Sequence, residues 1–171
     1  AHLGLAKAYT GATAYQDAFT HHKRAAEIAD QGTLTEKEKR WIALGRQQLD
    51  GIFSAPDERN KRLQEYRQAI EELIALDPDD AHAWVLRGNA EERSLAGRGQ
   101  GGRVGSVAYY DAALKRDPKH FGAHHYLVHS YEGLGHYDKA GEHGRRYAEA
   151  VLGVPHAQHM YAHVLPRLGQ W

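Results

Sequence analysis

Histidine is the residue type here with the most evident chemistry, at thirteen of 171 positions. His125 and His129 are four apart, and His156, His159 and His163 follow one another at steps of three and four. Residues at those spacings share one face of a helix, so each set projects to one side. A neutral imidazole offers one ring N–H and one lone pair, and it is the commonest side-chain ligand for transition metals. Pairs at i, i+4 on adjacent helices can supply three or four nitrogens to zinc, copper or nickel. The same imidazoles could instead hydrogen-bond a peptide, its terminal carboxylate or an anion. As a third reading, they pack and hydrogen-bond within the fold itself. All three stay open on the sequence. In each case a cluster of ordinary imidazoles is expected to respond to pH between about 5 and 8.

Other chemistry finds less support. There is no cysteine, which removes disulfides, thiolate metal sites and cysteine nucleophiles. Neither H-E-x-x-H nor G-x-S-x-G occurs, and Ser130 beside His129 makes a poor dyad because adjacent helical residues point to different sides. Gly97, Gly99 and Gly102 fit G-x-G-x-x-G, but a helical pattern rather than a strand precedes them and no Lys-Ser or Lys-Thr follows. The segment reads as an insertion whose Arg98 and Arg103 could meet an anionic partner. Lys+Arg and Asp+Glu are both 22, which argues against nucleic acid or an anionic membrane surface as partner. No run approaches 18 apolar residues, so no membrane insertion is expected. The enzymatic alternative that survives is a histidine-bound metal with an open position, so catalysis is left undecided, leaning against.

What must position these histidines is a repeat of helices. Ala83-Trp84, Ala123-His124 and Ala157-Gln158 each open an apolar helical stretch, 40 and then 34 residues apart. Two follow an Asp-Pro, Asp77-Pro78 and Asp117-Pro118, which ends one helix and helps begin the next. In the clearest unit a first helix runs to about Leu134, Gly135-His136 turns the chain, and a second helix starts near Tyr137. Leu127, Tyr131 and Leu134 share one face of the first helix; Tyr137, Ala140, Gly144 and Tyr147 share one face of the second. The tyrosines Tyr126, Tyr131, Tyr147 and Tyr161 are assigned to packing between helices. A single pair this short cannot bury its apolar stripe, whereas stacked neighbours can.

These residues resemble the tetratricopeptide-repeat (TPR) signature, a 34-residue helical pair. The unit from Phe121 supplies Leu127, Val128, Tyr131, Gly135, Tyr137 and Ala140 in register; the unit from Ala1 supplies Leu5, Ala6, Tyr9, Tyr15, Ala18 and Ala25. Leu168, Gly169 and Trp171 match the end of a first helix, the turn and the start of a second. The middle departs from the pattern. In residues 34–79 only the second helix carries a clear stripe, Leu63, Tyr66, Ile70 and Leu73, and the unit after it places Arg87 and Glu91 where the family has Leu and Tyr. Pro166 should kink or end the last helix just after His163.

The resemblance implies an all-α fold, an α-solenoid of antiparallel helix pairs (a TPR-like superhelix) spanning 1–171. Its units would be about 1–33, 34–79, 80–119 and 120–154, with a half-unit at 155–171. Because the chain stops where a partner helix should begin, it is expected to be a fragment of a longer protein. The family implies a non-catalytic scaffold that holds a protein or peptide partner in the concave groove lined by first helices. In that register His125 is equivalent to His159 and His129 to His163, a rough square of imidazoles on helices roughly 9–10 Å apart. These four are the candidate metal ligands. Asn89 and Glu92 extend the candidate groove by one unit, with His82 at a matching position, whereas His124 falls in the packed aromatic slot.

Overall fold

A computed structural model describes residues 1–32, 34–92, 95 and 104–171. Gly97, Arg98, Gly99, Gly102 and Arg103, the glycine-rich motif of the sequence, lie outside the described residues. Among the described residues there are nine α-helices and no strand, and they fall into two compact units.

The first unit holds residues 1–77 together with Leu95. It contains α1 (His2–Gly11), α2 (Tyr15–Asp30), α3 (Glu36–Ile52) and α4 (Arg59–Leu76). Helix α3 opens on a capping box: Glu38 N–H bonds Thr35 Oγ1 at 3.2 Å, and the Glu38 carboxylate accepts from Thr35 N–H at 2.8 Å. The α4 stripe is buried as its spacing required, with Leu63, Tyr66, Ile70 and Leu73 all inside. His22 is buried too, and its Nε2–H donates to the Ile42 carbonyl at 2.7 Å.

The second unit holds the described residues 78–92 and 104–171, with α5 (Ala81–Asn89), α6 (Val104–Arg116), α7 (Phe121–Gly133), α8 (Tyr137–Ala150) and α9 (Pro155–Ala162). Helix α7 lies between two apolar clusters. Ala123 and Leu127 join Ala81, Val85, Tyr110 and Ala113 on one side. Val128 joins Ala140, Tyr147, Ala157, Met160 and Val164 on the other, and Tyr131 packs against both. Gly144 lets α8 and α9 approach closely: a Cβ there would stand 3.2 Å from the Tyr161 Cα.

The repeat is written in hydrogen bonds as well as in apolar residues. Trp84 Nε1–H donates to the Pro78 carbonyl at 2.9 Å, and 40 residues on, His124 Nε2 bonds the Pro118 carbonyl at 3.1 Å. Each ring therefore ties the start of its helix to the Asp-Pro joint before it. Asp80 and His120 cap α5 and α7, accepting from Ala83 N–H and Ala123 N–H respectively. The unusual pair Arg87 and Glu91 forms an ion pair, and the buried guanidinium also lies over the Tyr109 ring at 4.6 Å. The misfit in the pattern is thus a paired charge.

Helix ends repeat too. Thr13, Gly135 and Gly169 all have positive φ, at 60°, 75° and 71°. In each case the next N–H reaches back five residues: Ala14 to Tyr9, His136 to Tyr131, and Gln170 to Leu165. This is the Schellman closure, which favours glycine because it has no Cβ to clash. Pro166 acts as its ring demands: α9 stops at Ala162, and Leu165–Leu168 forms a 3-10 turn.

Thr13 is a β-branched residue at a glycine position, so Thr13→Gly should raise the thermal midpoint and Gly135→Ala should lower it. Each change is expected to be worth about 1–2 kcal/mol. Equal shifts of one sign would show that these turns do not carry the strain assigned to them.

Candidate functional site

Helical geometry fixes which α7 residues remain available. With Ala123, His124, Leu127, Val128 and Ser130 buried, His125 and His129 are left half-buried on the remaining face. Helix α9 begins with Pro155 at its first position, where the missing N–H costs nothing, and His156 and His159 follow in its first turns. His163 caps its C-terminal end.

The imidazoles of α7 and α9 meet. His125 Nε2 stands 3.2 Å from His129 Nε2 and 3.1 Å from His156 Nε2. Ring contacts continue from His156 to His159 at 5.9 Å between centroids and from His159 to His163 at 5.2 Å. His163 Nδ1 then reaches Glu132 Oε1 at 3.0 Å, back on α7. Tyr126 and Tyr147 flank His125 with centroids 4.9 and 5.2 Å away.

All four histidines singled out from sequence therefore lie in one cluster, although the imidazole-to-imidazole hydrogen bond between α7 and α9 joins His125 to His156. The repeat register had paired His125 with His159. Two members fall outside the candidate groove named from sequence: His156, which the spacing placed on one face with His159 and His163, and Glu132. His156 carried a signal in its three-residue step to His159, but nothing in the sequence said that the first turn of α9 meets α7.

Asn89 and Glu92 sit differently. Asn89 is the last residue of α5, and its Oδ1 accepts from the Tyr110 hydroxyl at 2.8 Å. The Tyr126 hydroxyl also bonds Asn89, and the Tyr110 and Tyr126 rings stack at 5.4 Å. Asn89 thus connects to His125 through Tyr126. Glu92 lies past the end of α5, where its N–H bonds the Asn89 carbonyl at 3.2 Å and its charge helps push the Tyr126 hydroxyl pKa up.

Burial dominates the titration of the inner imidazoles. It lowers His125 to about 4, with the neighbouring His129 and His156 lowering it further. His129 also falls to about 4, again through burial first and then His163 and His156. Both are neutral at pH 7 and titrate below the window of 5 to 8 expected from their unperturbed values. Desolvation, invisible in the spacing, is the reason.

A second imidazole pair lies behind this face. His124 and His143 approach Nδ1 to Nδ1 at 2.8 Å, and the His143 ring stacks on Tyr131 at 5.6 Å. The Pro118 carbonyl can only accept, so His124 carries its proton on Nε2. Its Nδ1 is then the acceptor, and His143 donates from Nδ1. The aromatic slot expected for His124 is where it sits, 2 % exposed. Ser130 Oγ is buried with no hydrogen-bond partner among the described atoms, so it makes no bond to His129.

Two further observations bear on the site. Among the described residues no group of three or more His, Asp or Glu side chains is placed so that it could hold a metal ion. No described helix is long and apolar enough to cross a membrane. In the first unit an open cleft of about 660 Å³ lies between α2 and α3, lined by His22, Lys23, Asp30, Lys39 and Arg46 among others. Its Arg46 is already paired with Asp50 at 2.9 Å.

No family model matches the sequence, and no curated protein matches it. Two solved structures of MamA are similar in fold. A MamA point mutant aligns with a TM-score of 0.52 and 14 % identity, covering 99 % of this chain and 87 % of that one. A second MamA structure (MSR-1, C2) aligns with the same TM-score and identity, covering 98 % of this chain and 85 % of that one. At this identity the likeness is one of fold. The chain has an all-α helical-repeat fold.

The buried imidazole pair makes stability depend on acid. His143 is lowered to about 4 by burial first and by His124 second, and burial lowers His124 as well. A histidine with a folded pKa below its unfolded value, near 6.5, leaves the unfolded chain binding more protons between the two values. Its contribution is full above about 6.5 and is lost as pH falls towards 4. His143→Asn keeps a donor but removes the titration, so its stability should fall less steeply from pH 6.5 to 4 in urea titrations. An unchanged slope would assign the acid sensitivity elsewhere.

Proposed function

We propose that this chain is a non-catalytic scaffold holding a segment of a protein partner against the histidine face of its second unit. The observation that carries this reading is the row of imidazoles on α7 and α9. His22 and His124 bond backbone carbonyls within the fold. By contrast, the bonds of His125, His129 and His156 run to one another, at a face that His156 and His159 leave exposed. Neutral imidazoles flanked by tyrosine rings offer a peptide both donors and acceptors beside apolar surface. The helical-repeat fold is compatible with such a role, since stacked first helices present side chains in a regular row.

The contact set of this proposal is Asn89, Glu92, His125, His129, His159 and His163, to which the cluster adds His156. Asn89 serves by holding Tyr126 beside His125, and Glu92 supplies negative charge at that end of the row. A partner segment carrying a free carboxylate or an amide-rich stretch suits the imidazole end.

Peptides selected from a random displayed library on the tag-free chain provide the test. A selected peptide should bind His125→Ala/His159→Ala at least tenfold more weakly, a loss of about 1.4 kcal/mol, while the helical circular dichroism stays unchanged. Undiminished binding to the double variant would move the contact off this face.

A further inference from the structure

The cleft of the first unit holds polar groups that the fold itself does not use. Along α2 its lining residues recur at steps of three and four, from Lys23 through Ala26 to Asp30. Along α3 Lys39, Ala43 and Arg46 do the same, so each helix turns one face to the same space. At about 660 Å³ the cleft lies within the size range of small-molecule sites.

One wall carries a buried nitrogen without a partner. His22 lines the cleft although it is only 2 % exposed. The Ile42 carbonyl can only accept, so His22 carries its proton on Nε2, bonded at 2.7 Å. Nδ1 is then a bare lone pair, and no described residue bonds it. It is not among the sealed polar atoms of the fold, so the small exposed part of the ring includes it. Buried polar atoms are normally satisfied, and this one is open to an N–H or O–H that enters the cleft. Burial lowers the His22 pKa, so the lone pair is present at pH 7.

Charge around the cleft is unbalanced. The side chains of Lys23 and Lys39 are exposed there, and neither forms an ion pair or hydrogen bond among the described residues. Asp30 also lacks a described partner, whereas Arg46 is held by Asp50 at 2.9 Å. Two unpaired ammonium groups against one unpaired carboxylate favour an anion. Between them Ala26, Ala29 and Ile42 supply apolar surface. A ligand that suits the whole cleft therefore has an anionic group, an N–H or O–H, and an apolar body. Neither a bare inorganic anion nor an uncharged apolar molecule has all three.

We propose that the α2–α3 cleft binds a small organic carboxylate with a hydrogen-bond donor of its own and an apolar body, as apolar amino acids and 2-hydroxy acids have. Lys23 and Lys39 hold the carboxylate, and His22 Nδ1 accepts from the neighbouring amino or hydroxyl group. Asp30 favours the ammonium of an amino acid over the hydroxyl of a hydroxy acid. The site lies in the first unit and does not rest on the partner-binding role of the second.

The test is a titration of the full chain at pH 7, followed by backbone and imidazole nitrogen NMR. The probes are leucine, 2-hydroxy-4-methylpentanoate, 4-methylpentanoate and leucinamide. Leucine or the hydroxy acid should bind saturably, with shifts confined to α2 and α3. The tighter of the two names the class, and Asp30 makes leucine the expected one. His22 Nδ1 should move upfield as it gains a hydrogen bond, while Nε2 stays protonated. 4-Methylpentanoate lacks the donor and leucinamide lacks the carboxylate, so each should bind at least tenfold more weakly. Lys23→Gln/Lys39→Gln should weaken the better ligand at least tenfold; both side chains are exposed, so its Tm should hold. Lys61→Gln, on α4, should bind as the unaltered chain does. No saturable binding of leucine or the hydroxy acid, or binding that the double lysine variant leaves intact, overturns the site. Equal affinity for 4-methylpentanoate with an unmoved His22 resonance overturns it too, because the buried nitrogen would then take no part.

Discussion

Helix α7 has to bury residues on two sides at once. Ala123 and Leu127 close one apolar cluster and Val128 closes the next. With about 100° of rotation per residue, a helix of thirteen residues serving two cores has one remaining face. His125 and His129 occupy that face, so their half-burial follows from the packing of α5, α6, α8 and α9 around this helix. The lowered pKa values, the contact with His156 and the flanking tyrosines all descend from this arrangement. Loss of Leu127 or Val128 would disturb the site without touching any imidazole.

The joints between helices hold that arrangement in register. Each Asp-Pro corner presents a proline carbonyl that a ring nitrogen of the following helix engages, from Trp84 in one case and His124 in the other. The proline has no N–H to offer, but its carbonyl remains an acceptor, and a ring one turn into the next helix is well placed to satisfy it. His124 then passes the constraint to α8 through its contact with His143. A tryptophan has only one ring nitrogen, so the Trp84 position cannot pass on a second bond in this way.

Charge in the second unit follows the same logic of pairing. Arg87 is 8 % exposed, and its ion pair with Glu91 and contact with Tyr109 offset the cost of its burial. Histidine avoids most of that cost by becoming neutral, which is why imidazoles can be gathered closely on α7 and α9 where lysines could not. The grouping is thus compatible with a folded chain at neutral pH.

Much was legible in the sequence. The three- and four-residue steps of Leu63, Tyr66, Ile70 and Leu73 predicted a buried helical stripe, and Gly135 and Pro166 predicted where helices end, because backbone sterics act locally. The placement of His125 and His129 on one face was equally a matter of helical period. Tertiary structure decided the rest. That His156, rather than His159, reaches His125 depends on how α9 crosses α7, and the position of α9 depends in turn on its close contact with α8, where Gly144 lies against the Tyr161 backbone. The fall of His125 and His129 to about 4 depends on desolvation by neighbours distant in sequence. Local spacing determines which face a residue shares; only packing determines what that face meets and how much water it keeps.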